Sequence, residues 1–202
     1  MKKVLLILVG VTLLLIGIMV GTTKPLTQDQ NQDVTVGSWD ENTYHNDYFD
    51  LELRLPGAWV YNNDSLESEI NEAFSKDKNL KYLTSAMGKN KAFVAFAYKL
   101  PLITARLNKE DDMRSLRKAL KKQSLNFFSD LDDIDFELQP DITNKNGVKF
   151  IPATFEQNQG KYNFVGKILF TRKKEYIVVF FMMGIGNTEK IMEDITDSIS
   201  FE

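Results

Sequence analysis

The chain has 202 residues, 43% hydrophobic and 26% charged, with a net charge of −3. That balance excludes a disordered chain and the basic excess of a general nucleic-acid binder, and fourteen Phe, seven Tyr and two Trp can fill a sizeable core. The absence of Cys excludes disulfides, thiolate metal sites, a Cys nucleophile and a lipid-modified Cys.

Met1, Lys2 and Lys3 lead into an uncharged run from Val4 to Thr23. Twenty helical residues span roughly 30 Å, the thickness of a bilayer's hydrocarbon core. Residues 1–23 therefore read as a transmembrane anchor or signal peptide. The apolar stretch is longer than a cleaved signal needs, and Gly21, Thr22 and Thr23 form no clean cleavage site, which favours an uncleaved anchor. Lys2 and Lys3 place the N-terminus in the cytoplasm and the remainder outside; cleavage would make it a secreted protein. Residues 24–42 are polar and aperiodic and read as a flexible tether, followed by one globular domain over 43–202.

In that domain Phe49, Leu51, Leu53 and Leu55 alternate with polar residues, the pattern of a half-buried strand, stopped by Pro56 and Gly57. Asp64 and Ser65 can cap a helix running to about Phe74. Lys91 to Leu100 is apolar on both faces, as in a central strand. From about Lys109 to Leu131, Met113, Leu116, Leu120, Phe127 and Leu131 share one helical face. Ile134 to Leu138 reads as a short strand. Val148–Phe155, Tyr162–Thr171 and Glu175–Met183 read as three antiparallel strands, and Ile177 to Met183 is too short to cross a membrane and so is a buried strand. Asn187 or Thr188 then caps a closing helix through Ile191, Met192 and Ile195, ending at Ser198 to Phe201. The expected fold class is α+β: a mainly antiparallel β-sheet with helices packed on its faces, preceded by one N-terminal transmembrane or signal helix.

Tyr44 to Leu53, followed by Leu55, Pro56, Gly57, Ala58 and Trp59, resembles the opening of Mog1/PsbP-like domains, where a strand runs into a Pro-x-x-Trp turn. The late strands and the ending Ile195 to Phe201 are similar to that family as well. The resemblance covers residues 43 to 202 in layout and implies a membrane-tethered or secreted domain of a Gram-positive bacterium, an accessory or protein-binding module in place of an enzyme. The matching positions are structural, so no functional residue follows from it.

Few residues point to chemistry. His45 is the only His, which precludes a multi-His metal site, and no G-x-S-x-G accompanies it. Asp130, Asp132, Asp133 and Asp135 lack the spacing of a calcium loop, and Gly184-Ile185-Gly186 lacks the remainder of a phosphate loop. Trp39, Tyr61 and Tyr82 are candidates for a binding surface, or for edge and core positions. The sharpest charge feature is Arg114, Arg117, Lys118, Lys121 and Lys122 on the polar side of the long helix, a candidate contact for an anionic surface. The expectation is an extracytoplasmic binding or accessory module tethered to the membrane, without catalytic activity, cofactor or metal. Its partners would be the membrane and another envelope protein or wall polymer, not nucleic acid. The alternative is an extracytoplasmic hydrolase using carboxylates on cell-envelope material.

Overall fold

The structure, a computed structural model, describes residues 34–35, 37–61, 70, 79–100, 113–118, 120–121, 134–159, 162–186 and 188–202. The leading segment, most of the helix expected at 64–74, Phe127, Leu131, Lys122 and Asp130 to Asp133 lie outside the described residues.

Two antiparallel sheets organise the described residues. The smaller contains β1 (Ser38–Asp40), β2 (Thr43–Asn46), β3 (Leu51–Arg54) and, beside β3, β12 (Ser200–Phe201). The larger runs β4 (Val60–Tyr61), β5 (Leu80–Gly88), β6 (Lys91–Lys99), β11 (Tyr176–Ile185), β10 (Tyr162–Lys173), β9 (Lys149–Gln159) and β7 (Ile134–Leu138), with β8 (Ile142–Thr143) also on β9. Residues 113–118 and 120–121 are helical (α1), and Glu189–Ser198 forms α2.

The apolar pattern of β11 dictates the layering. Ile177, Val179, Phe181 and Met183 face one core with Val94, Phe96, Phe155 and Phe170, and Leu116 and Leu120 of α1 cover it. Val178, Phe180 and Met182 face a second core with Phe93 and Leu169, and there the small sheet supplies Tyr44, Leu51 and Leu53 while α2 supplies Met192 and Ile195. β11 is thus buried on both faces, as its unbroken apolar run demands. β3 alternates buried Leu51 and Leu53 with exposed Glu52 and Arg54, as a strand covered on one face must. Burying each such Leu or Phe stabilises by roughly 1.5–3 kcal/mol.

The α+β expectation is corrected by this architecture. Among the described residues strands hold 58% and helices 16%, so the fold they form is largely β, two sheets stacked face to face. Three stretches add to the strand content. Leu80–Gly88 is a nine-residue strand in a region with no expected element. β1 and the start of β2 lie at the edge of the presumed tether, with Val34 already buried. Ser200 and Phe201, expected at the tail of a helix, turn extended and pair with Glu52 and Leu51. Among the described residues no helix is long and apolar enough to cross a membrane.

Candidate functional site

His45 sits on β2 directly across from Glu52 of β3, with Nδ1 3.7 Å from the carboxylate; both side chains are about half exposed. That is a surface cross-strand pair, and no nucleophile accompanies it in the described contacts.

α1 divides its cations between two tasks. Arg117 donates from Nε to Asp141 at 2.8 Å, and its Nη2 reaches Asp141 and the Gln139 carbonyl. It thereby pins α1 to the turn after β7. Arg114, Lys118 and Lys121 are exposed at i, i+4 and i+7, opposite Leu116 and Leu120, and form one stripe. Lys122 lies outside the described residues.

Of the acidic run, Asp135 is described, exposed on β7 and opposite Glu156. No group of three or more His, Asp or Glu among the described residues is arranged to hold a metal ion. Gly184 belongs to β11, where a Cβ would lie 2.4 Å from the Thr188 methyl, and Gly186 turns the chain at φ +79. The pair serves the passage from strand into α2.

The aromatic candidates separate. Trp39 stacks on Tyr61 with centroids 4.1 Å apart, joining the edge strands of the two sheets, and its Nε1 donates to Thr84 Oγ1 at 2.8 Å. Tyr82 packs against the opposite core and donates to Ser85 at 2.8 Å. Next to the Trp39–Tyr61 stack, Lys91 Nζ lies 4.1 Å above the Trp59 ring, and burial lowers the pKa of that ammonium. Val60, between Trp59 and Tyr61, is 59% exposed on the edge strand β4.

Two further clusters carry no sequence motif. At the β10–β11 turn the Tyr48 hydroxyl donates to Glu175 at 2.8 Å, with Lys174 Nζ 4.5 Å from its ring centre. Burial, and then the Glu175 carboxylate, hold that phenol well above its ordinary pKa. In the loop between β8 and β9, Asn144 Nδ2 donates to the Thr196 and Ile199 carbonyls, both at 2.7 Å. Asn146 Nδ2 donates to the Asp197 and Ile199 carbonyls at 3.0 and 3.1 Å. Two side-chain amides from one loop thus cap the carbonyls that end α2. Only an Asn-rich turn in the sequence, Asn144-Lys145-Asn146-Gly147, hints at this bracket.

No family model matches the chain, and no curated protein matches it. Among solved structures, a Pseudomonas aeruginosa protein of unknown function overlaps with a TM-score of 0.38 at 10% identity, over 75% of this chain and 91% of that one. A likeness of that size carries no argument. The resemblance to Mog1/PsbP-like domains rests on the quoted residues alone.

Proposed function

We propose that this chain is a non-catalytic binding module held on the outer face of a cell membrane by its apolar leading segment, and that the α1 stripe meets an anionic surface. One observation carries the reading. Arg114, Lys118 and Lys121 are exposed along one line of a helix whose other side is buried, in a chain of net negative charge. Cations retained together on an acidic molecule favour lipid phosphates or acidic wall polymer over general solvation. Two buried asparagines act as struts, which supports a binding role over a catalytic one for them. Asn46 joins Val34 to Phe49, and Asn144 holds the end of α2.

The test uses residues 34–202 with Arg114, Lys118 and Lys121 all changed to Gln. At ~1 kcal/mol per charge, partition onto anionic vesicles at low salt should fall by about a hundredfold. Neutral vesicles should bind neither protein, and an isolated wall fraction separates polymer from lipid. Equal binding by both proteins to every anionic surface would refute the stripe. Protease added to intact cells should digest the domain of the full chain, and protection would refute its placement outside.

A further inference from the structure

The Asn144–Asn146 bracket holds the one Asn-Gly dipeptide of the sequence. We infer that Asn146 is a site of spontaneous deamidation whose conversion unlatches the C-terminal helix. Glycine is the residue least able to shield its own backbone nitrogen. Asn146 is exposed, Gly147 sits at φ +78, and nothing lies within 4 Å of where a Gly147 Cβ would be. The chain can therefore rearrange here without displacing a neighbour.

The reaction needs only water and a proton acceptor from solvent. Gly147 N–H loses its proton, and the nitrogen attacks Asn146 Cγ. The new N–C bond closes a five-membered succinimide; solvent returns a proton to Nδ2 as the Cγ–Nδ2 bond breaks, and ammonia departs. Water then opens the ring at either carbonyl, leaving aspartate or isoaspartate, with no change in oxidation state.

The folded latch opposes the first step twice. Gly147 N–H donates to the Asn144 carbonyl at 3.1 Å, and Asn146 Nδ2 is held by two carbonyls. Conversion therefore proceeds from the opened latch. Afterwards the latch cannot close as before. A carboxylate replaces a donor and faces two carbonyl oxygens at the negative end of α2, whose last turn has no basic residue. What loosens is the joint between α2 and β12, because Ile199 carries a carbonyl gripped by both asparagines.

The experiment ages the full-length chain in warm, mildly alkaline buffer and follows the Asn146 peptide by mass and by isoaspartate detection. Asn146 should convert fastest in the urea-unfolded chain, slower in the folded wild type, and at an intermediate rate in folded Asn144→Ala, which removes half of the bracket. Hydrogen exchange of residues 192–199 should be about tenfold faster in Asn146→Asp than in Asn146→Ser, which loses the same amide without gaining charge, a difference of about 1.4 kcal/mol. Conversion in Asn144→Ala no faster than in wild type would overturn the gating. Equal exchange in the Asp and Ser variants would overturn the unlatching. If Asn144→Ala fails to fold, Asn146→Asp and Asn146→Ser decide the proposal between them.

Discussion

Replacing Gly166 by Ala should destabilise the protein even though alanine suits a strand better than glycine. Gly166 pairs directly with Phe155 across β10 and β9, and the phenyl ring lies over it. A Cβ at Gly166 would stand 2.0 Å from both Cε1 and Cζ of that ring. The ring has nowhere to go, since Phe155 is buried and stacked on Phe181 with centroids 5.4 Å apart. Overpacking of this kind costs about 1–3 kcal/mol, and the lost glycine entropy returns roughly 0.5–1 kcal/mol. The net loss should be about 1 kcal/mol, read as a lower urea midpoint at unchanged slope. Phe155→Leu should cost less in the Gly166→Ala background than in the wild type, because the smaller side chain relieves the clash. A Gly166→Ala protein as stable as the wild type, or additive behaviour of the pair, would refute the packing argument.

Burial raises the Tyr44 phenol from 10.0 to about 12, and Tyr48, Tyr61 and Tyr176 are raised as well. The unfolded tyrosines ionise first, so stability should hold below about pH 10 and decline between about pH 10 and 12, with a shallower decline in Tyr44→Phe. Arg117→Gln should cost less than about 1 kcal/mol in thermal unfolding, since its partner Asp141 is exposed. Thr84→Val removes the acceptor of the Trp39 indole and should cost about 1–2 kcal/mol, with a shift in tryptophan emission.

The parts of the fold legible in the sequence are those where one periodicity dominates. Leu51 and Leu53 announce β3, the run from Ile177 to Met183 announces a doubly buried β11, and the strand read over Ile134 to Leu138 coincides with β7. β5 escaped because its register shifts between Tyr82 and Thr84, which breaks the alternation, and because Thr84 and Ser85 are buried polar residues. Their partners, Trp39 and Tyr82, include one 45 residues away, which no local pattern encodes. β1 escaped because sheet edges tolerate polar residues, and β2 because one of its two buried positions is a polar residue, Asn46. The cationic stripe was visible as helical spacing, but the withdrawal of Arg117 depends on Asp141, in a loop beyond β7. The asparagine bracket was invisible because a capping side chain supplied from a distant loop looks like any polar turn.

The pairing of Ser200 and Phe201 with Glu52 and Leu51 has a consequence for how the molecule is made. The small sheet gains its fourth strand, and the second core gains Met192, Ile195 and Ile199, only after nearly all the other strands exist. A chain emerging from a ribosome therefore carries a half-covered apolar slab, with Phe93 and Phe180 on it, until α2 and β12 arrive. Such a topology folds slowly and attracts chaperones, and a truncation before Ile199 should yield aggregates in place of a smaller stable domain.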